Sequence, residues 1–322
     1  MSETVSEGIN AGALSARKRH SFFYDLFARL LREKPLGTFG AIVVIILLIV
    51  GISANLIAPY GYNETYVAER LAPPSLKNIL GADQVGRDVL SRIIFGARIS
   101  MIVSLCTASL SVCISTTIGL LSGFLGKKVD LVVQRFVDAW MCFPGIFLIL
   151  TIMAILGPGM VQVIIVLGIS GGIAGSRVIR STVLNIKENV YVDAARSIGC
   201  PTRVILARHI LPNIMAPIII MFTTGMGGAI IAEASISFLG WGIPPPHPSW
   251  GGMLSTSGRT YMMTAPWLAV WPGLALTVVV YGINMFGDAL RDLLDPRLRG
   301  GLGRYSGTRK KIPKLKAKVN RK

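Results

Sequence analysis

The chain has little charge and little cysteine, and it lacks the signatures of several enzyme classes. Its four cysteines form no CxxC pair and it has only three histidines, so neither a disulfide framework nor a metal site is indicated. No GxxxxGK[ST] motif occurs, which argues against a P-loop for ATP in this chain. Residues 168–172 match GxSxG, but they lie inside an apolar run without the strand-to-helix turn that a catalytic serine needs. We therefore predict no catalytic residue, no metal ligand and no cofactor in this chain.

Long apolar blocks make up much of the sequence, whose mean hydropathy is +0.60. About 20 apolar residues in a helix cross the roughly 30 Å hydrocarbon core of a bilayer. Because the blocks are continuous and do not alternate with polar residues, they predict helices and not barrel strands. The windows that meet or approach this length are 38–58, 99–123, 137–156, 160–176, 214–232 and 267–287. The sequence thus predicts an all-α membrane protein with six transmembrane helices.

Basic residues set the predicted orientation. Most of the 33 Lys and Arg residues lie in segments that share one side of the membrane if the N-terminus is cytoplasmic. The two long loops on the other side, 59–95 and 233–265, hold few of them. By the positive-inside rule both termini are therefore cytoplasmic. The net charge of +17 accordingly indicates topology and not nucleic-acid binding.

Four segments follow from this pattern. Residues 1–37 form a cytoplasmic N-terminal segment whose amphipathic helix, at 22–31, either lies on the inner membrane surface or packs against a neighbouring subunit. Residues 38–98 hold the first transmembrane helix and an extracytoplasmic loop, and 99–299 hold the core with five transmembrane helices. The tail 300–322 is strongly basic, and we expect it to be cytoplasmic, disordered and able to contact anionic lipid headgroups.

A charged cytoplasmic loop, residues 177–213, separates the fourth and fifth spans. We expect a helix over 186–198, which Gly199 ends in a left-handed conformation. Pro201 fits the first turn of a second helix, and Pro212 lets the chain turn into the fifth span. The predicted shape is a helix–glycine–helix elbow, and this name is kept for residues 177–213. An ordinary loop between spans is an equally good interpretation of these features alone.

On the outer side, residues 235–265 are rich in Gly, Pro and Trp and cannot form a regular span. We expect them to form an outer cap with Trp241, Trp250 and Trp267 at the membrane interface. Glu233 lies at the outer end of the fifth span, where an ionisable residue is a functional candidate. A structural or gating hydrogen bond and direct solute contact are the alternative roles for its carboxyl group.

Several stretches resemble one family. The stretch DAARSIG, followed after nine residues by HILP, resembles the coupling motif of permeases in binding-protein-dependent ABC importers. That motif reads Glu-Ala-Ala-x-x-x-Gly, nine residues, Ile-x-Leu-Pro, so Asp193 replaces Glu and His209 replaces Ile. Further stretches, which together extend the match to about 22–299, are similar to the C-type permease subunit of dipeptide/oligopeptide importers: REKPLGTFG (32–40), LGADQVGRDVLSRIIFGAR (80–98), EASISFLGWGIPPPHPSWGGML (233–254) and GDALRDLLDPRLR (287–299).

The resemblance implies a type I ABC importer permease fold in the cell inner membrane. It implies these partners: a second permease subunit, two cytosolic ATPase subunits that hold ATP and Mg²⁺, an extracytoplasmic solute-binding protein and membrane lipid, with no nucleic acid. The implied substrates are peptides or similar small solutes, among which the family includes nickel chelates and glutathione. The alternatives are a secondary transporter or channel driven by an ion gradient and a membrane scaffold that transports nothing.

The resemblance also assigns candidate residues. It implies that an ATPase docks on the elbow, where Ala194 and Ala195 would keep one side of the helix flat. The full set implied for coupling is Asp193, Ala194, Ala195, Gly199, Leu211 and Pro212. Topology alone suggests that Glu233, Trp241 and Trp250 form an outer gate or contact the binding protein.

Overall fold

The computed structural model describes residues 22–294, with side chains from residue 28 onward. Within this range the regular structure is helical, apart from one isolated antiparallel bridge between Ala82 and Asp88. The helices are α1 (Phe22–Glu33), α2 (Pro35–Ile52), α3 (Ala54–Ile57), α4 (Val89–Leu125), α5 (Lys127–Met141), α6 (Gly145–Leu156), α7 (Met160–Lys187), α8 (Val190–Ser197), α9 (Thr202–Val204), α10 (Met215–Phe238), α11 (Trp250–Met253), α12 (Arg259–Tyr261) and α13 (Trp267–Leu294). The expectations for residues 1–21 and for the tail 300–322 fall outside the described residues.

Five helical segments are long and apolar enough to cross a membrane: Pro35–Ile52, Val89–Leu125, Met160–Lys187, Thr202–Phe238 and Trp267–Leu294. The pair α5 and α6 adds a sixth if it counts as one broken span. The all-helical membrane fold with five to six spans is therefore confirmed.

The third window, 137–156, is not a single straight helix as predicted. Its two halves are bent by 87° at a short break between Met141 and Gly145. Pro144 explains the break, because proline has no backbone N–H to donate and disfavours helical conformation in the residue before it.

Two helices are longer than their predicted windows. Helix α4 begins at Val89 and not at residue 99, because the Asp88 side chain caps it by accepting a hydrogen bond from the Ser91 backbone N–H at 2.8 Å. Helix α7 continues past residue 176 to Lys187 and so extends beyond the apolar window at its inner end. The outer loop is correspondingly shorter, and the first part of the elbow, up to Lys187, belongs to a helix that begins in the membrane.

Small residues bring α4 and α7 together. A Cβ atom added to Gly119 would lie 2.6 Å from the Ser176 carbonyl oxygen, and one added to Gly168 would lie 2.6 Å from a Leu110 methyl carbon. The Ser115 hydroxyl donates to the Gly172 carbonyl oxygen at 2.9 Å across the same interface. Such close backbone approach is how helices associate in lipid, where the hydrophobic effect gives little drive.

The N-terminal and C-terminal spans pack side by side. Gly40 of α2 lies against the Gly282 carbonyl of α13 so closely that an added Cβ would come within 2.3 Å of it. At the inner end, the Lys34 ammonium pairs with Asp292 at 2.6 Å. The helix expected over 22–31 is present as α1, and Leu30 is buried with Ala41 in a small apolar cluster. At Leu30, then, α1 packs on its own chain.

Candidate functional site

The elbow contains the predicted turn. Helix α8 ends at Ser197, and Gly199 follows with φ of +74°, a left-handed conformation. The Cys200 backbone N–H donates to the Ala195 carbonyl oxygen at 3.0 Å, which satisfies an otherwise free carbonyl at the helix end. Pro201 then precedes the first helical turn, Thr202–Val204. The glycine turn between two helices therefore forms as the sequence indicates, but the first helix begins at Val190 and not at residue 186, where α7 is still continuing to Lys187, and Pro201 lies one residue before the second helix.

One face of the elbow is joined to the transmembrane bundle. Val192 and Ala195 of α8 are buried in a cluster with Ile179 and Val183 of α7. Ile205 and Ile210, which follow the turn, are buried in the same cluster. Helix α8 therefore contacts both α7 and the segment that follows the turn through apolar side chains.

The opposite face of α8 is exposed. Val190, Ala194 and Ile198 recur at every fourth residue, and this set is called the exposed stripe. Val190 and Ile198 are each 84% exposed, and Ala194 is also exposed. Sequence inspection missed Val190 and Ile198. The signal was present for Val190, which lies opposite the buried positions Val192 and Ala195 in the helical repeat, whereas Ile198 directly follows the last residue of α8.

The two alanines of the coupling motif lie on different faces. Ala194 is on the exposed stripe, whereas Ala195 is 6% exposed and packs inward. The expectation that both alanines form one flat outer face therefore does not match the geometry. Asp193 is exposed beside Ala194, and its carboxylate lies 3.4 Å from the Arg196 guanidinium. That guanidinium also stacks 5.1 Å from the centre of the Phe124 ring at the inner end of α4.

Pro212 does not turn the chain, in contrast to the prediction. The segment from Thr202 to Phe238 counts as one span, and it passes through a π-helical turn (Ile205–Ile210) and a 3-10 turn (Leu211–Ile214) before the regular helix resumes. Proline cannot donate the usual helical hydrogen bond, and local changes of helix type accommodate the missing donor. Leu211 is half-buried against the inner cluster and Pro212 is exposed. The elbow is therefore continuous with the fifth span.

Charged residues connect α7 to α5 on the inner side. Arg180 of α7 donates two hydrogen bonds of 2.5 Å to the carboxylate of Asp130 on α5. The Ser122 hydroxyl of α4 donates to the same carboxylate at 2.8 Å. Arg177 forms a second ion pair with Asp138. Sequence reasoning missed these pairs, although arginines at the end of an apolar helix indicate nearby acids.

Glu233 is the most deeply buried acid of the outer half. It is 1% exposed, and its Oε1 accepts a 2.6 Å hydrogen bond from the Ser237 hydroxyl. The Ser237 oxygen in turn accepts from the backbone N–H of Ile243 at 3.2 Å. Ser249, the residue before α11, is a second polar neighbour of the Glu233 carboxylate. Glu233 thus supports the loop that follows α10.

The two tryptophans assigned to the outer site differ in exposure. Trp250 is only 1% exposed, and its indole N–H donates to the Ile93 carbonyl oxygen at 3.2 Å. Its ring packs on Gly96, where an added Cβ would come within 2.7 Å of Nε1. The expectation of an interfacial Trp250 is therefore wrong, because this glycine in α4 lets the ring enter the core. Trp241 is 39% exposed and is available for contact.

Comparison with known proteins supplies the context for these features. Residues 115–300 match the family described as binding-protein-dependent transport system inner membrane component. Residues 21–74 match the N-terminal TM domain of oligopeptide transport permease C.

Curated relatives cover most of the chain. It is 38% identical over 269 residues to the dipeptide transport system permease protein DppC of Alkalihalophilus pseudofirmus, covering 84% of this chain and 88% of the relative. It is 39% identical over 274 residues to a putative peptide transport system permease protein of Brucella suis, covering 85% and 92%. It is 39% identical over 275 residues to the glutathione transport system permease protein GsiD of Escherichia coli, covering 85% and 90%.

Proposed function

The chain belongs to the family of binding-protein-dependent transport system inner membrane components, and from this premise we propose that it carries peptides or similar small solutes. It is a multi-pass inner-membrane permease subunit of an ABC importer, and it is not an enzyme. The names of the similar permeases, which specify dipeptide, peptide and glutathione transport, support the proposed solute class.

The proposed assembly has one further permease subunit, two cytosolic ATPase subunits and an extracytoplasmic solute-binding protein. ATP and Mg²⁺ bind to the ATPase subunits, and this chain holds neither. Closure of the ATPases on ATP moves the elbow and opens the solute path outward, and hydrolysis resets it. The family to which the chain belongs supports this assignment, since it takes its name from a binding protein.

The single observation that carries the coupling proposal is the two-faced helix α8. Its inner face is buried with Ile179 and Ile205, whereas Val190 and Ile198 are exposed on the other side. Adjacent exposed apolar side chains on a cytosolic helix mark a protein contact. The exposed stripe is the surface that docks on an ATPase, with Asp193 at its edge, and Ala195 supports it from within. Gly199 sets the turn, and Leu211 and Pro212 continue it into the fifth span.

Motion of α8 has two routes into the membrane. One runs through the continuous segment Thr202–Phe238, whose outer end carries Glu233. The other runs through α7 to α5 by way of the ion pair between Arg180 and Asp130. At the outer end, the hydrogen bonds from Ser237 to Glu233 and from Ile243 to Ser237 position the loop that contains Trp241. We assign Trp241 as the binding-protein contact, Glu233 as the support of the outer gate and Trp250 as the anchor of the cap.

A substitution on the exposed stripe tests the coupling proposal. Ile198→Glu places a charge at the proposed contact without disturbing buried atoms, and Ile198→Leu is the matched control that keeps an apolar side chain. Loss of an apolar contact residue should weaken ATPase association by about 10- to 100-fold. The measurement is co-purification of the ATPase subunits with the tagged permease in mild detergent.

Two results would contradict this function. Ile198→Glu could retain the ATPases as well as Ile198→Leu does, which would remove the stripe from the interface. Alternatively, proteoliposomes that contain this chain alone could take up a radiolabelled dipeptide under a proton or sodium gradient. That second result would show transport without an ATPase.

A further inference from the structure

A recess lies between α4, α6, α7 and α10, about halfway along these helices, and is called the central recess. Its volume is about 420 Å³. Small and hydroxyl-bearing residues dominate its lining, among them Thr107, Ser111, Ser170, Thr224, Gly225 and Gly228. No lining residue from the described part of the chain is ionisable. A surface of this composition is unlike the large aliphatic side chains that cover the lipid-exposed sides of α2 and α13, such as Ile49 and Leu274.

Two hydroxyl groups at the central recess have no hydrogen-bond partner. Thr107 is 4% exposed, and neither its Oγ1 nor the Oγ of Ser170 is paired with any group in residues 22–294. Exposed threonines elsewhere in the spans instead donate to the carbonyl four residues back, as Thr117 does to Cys113 and Thr277 to Gly273. Both oxygens are shielded from solvent, so their hydrogen-bonding capacity is met by no group of the described chain, and an unpaired buried hydroxyl is costly.

The glycines of α10 leave the central recess open. A Cβ atom added to Gly228 would meet no atom within 4 Å, and one added to Gly225 would meet only the Ala108 methyl at 3.8 Å. Gly119 and Gly168, by contrast, lie directly against neighbouring helices at 2.6 Å. Packing within this chain therefore explains Gly119 and Gly168 but not Gly225 and Gly228.

We infer that the central recess is this subunit's wall of the solute path, filled with water at rest and contacted by the solute in transit. This inference rests on the proposed importer function. Uncharged hydroxyls and exposed glycine backbone can exchange hydrogen bonds with the amide groups that all peptides share. With no ionisable side chain in its described lining, the recess selects neither acidic nor basic side chains. Solutes with repeated amide groups and any net charge are the ligand class that fits.

Thiol accessibility tests the inference without knowledge of the solute. Gly228→Cys is made in a chain whose four native cysteines are replaced by serine, and Leu274→Cys is the control on the exposed face of α13. The complete complex is treated in membrane vesicles of both orientations with a charged methanethiosulfonate, with and without ATP. The methanethiosulfonate reacts with the thiolate, and a thiolate forms only in contact with water. The Gly228→Cys thiol should therefore react at least about tenfold faster than the Leu274→Cys control in at least one of these conditions.

Equal rates for the two thiols would show that position 228 faces lipid and would overturn the inference. So would a Gly228→Cys thiol that is inert in every condition, since the neighbouring permease would then cover it. Gly225→Cys repeats the test if Gly228→Cys does not assemble. Failure of the proposed function is distinguishable, because it would appear as absence of ATPase subunits from the purified wild-type complex, independently of labelling.

Discussion

Arg180 and Asp130 form a two-point ion pair between α7 and α5, with both nitrogen–oxygen distances at 2.5 Å. Their side chains are 29% and 16% exposed, so water screens the pair only in part. A bidentate guanidinium–carboxylate pair fixes the relative orientation of its partners as well as their distance. It therefore joins α7, whose inner end is part of the elbow, to α5, the first half of the broken span.

Removing this pair should uncouple the elbow from α5. Asp130→Asn keeps the size of the side chain but removes its charge, and Arg180→Lys keeps the charge but cannot bond at two points. We expect both variants to assemble with the ATPases, to lower uptake and to raise ATP hydrolysis without solute. A double-mutant cycle on thermal stability should return a coupling of about 1–3 kcal/mol. A coupling near zero together with normal uptake would show that the pair transmits nothing.

Gly199 provides a test of the turn that does not depend on crowding. Its φ is +74°, and no atom lies within 4 Å of an added Cβ. Only the backbone conformation therefore restricts which residue type can replace Gly199. Gly199→Val should cost about 1–2 kcal/mol or more, because β-branched residues avoid the left-handed region, whereas Gly199→Asn should be tolerated. We expect Gly199→Val to lose solute-stimulated ATP hydrolysis and Gly199→Asn to retain most of it. Equal activities would mean that the turn geometry is not required.

The two tryptophans of the outer site should respond differently. Trp250→Ala removes a buried ring and should destabilise the protein by about 3–5 kcal/mol. Trp241→Ala removes a partly exposed ring and should leave the thermal unfolding midpoint nearly unchanged. It should instead lower the stimulation of ATP hydrolysis by the binding protein, measured by titration with that protein. If Trp241→Ala leaves the titration unchanged, Trp241 is not the contact.

Most of the spans were predictable because hydropathy is a local property of the chain, whereas their ends were not. Ser91 and Arg92 precede the apolar window that begins at residue 99, yet both lie in α4. They are accommodated because Asp88 caps the helix and because Arg92 donates to the Tyr62 carbonyl oxygen at 3.0 Å. The inner part of α7 could not be predicted from hydropathy either, because its polar residue Arg180 is paired with an acid fifty positions earlier in the chain. Such partners are distant in sequence, so no local pattern reveals them.

The elbow was predictable in its turn but not in its faces. A glycine followed by a proline indicates the end of one helix and the start of another from local preferences alone. Which side of α8 faces inward depends on Ile179 and Ile205, and these residues belong to other helices. For this reason the sequence did not separate Ala194 from Ala195. The burial of Trp250 could not be predicted from the local sequence either, because the space for its ring is left by Gly96 on a different span.

Placing the same arginine at each of the two alanines separates docking from packing. Ala195→Arg would insert a guanidinium into the apolar cluster around Ile179 and Val183, whose members are hydrophobic side chains. An uncompensated buried charge is strongly destabilising, so this variant should fail to assemble in the membrane or unfold at a much lower temperature. Ala194→Arg points away from the cluster and should leave the unfolding midpoint within a few degrees of the wild type. It should nevertheless abolish ATPase co-purification, because the long side chain prevents close approach to the exposed stripe. Thermal unfolding and co-purification are measured on both variants, and a well-folded Ala194→Arg permease that still binds the ATPases would exclude the exposed stripe as their docking surface.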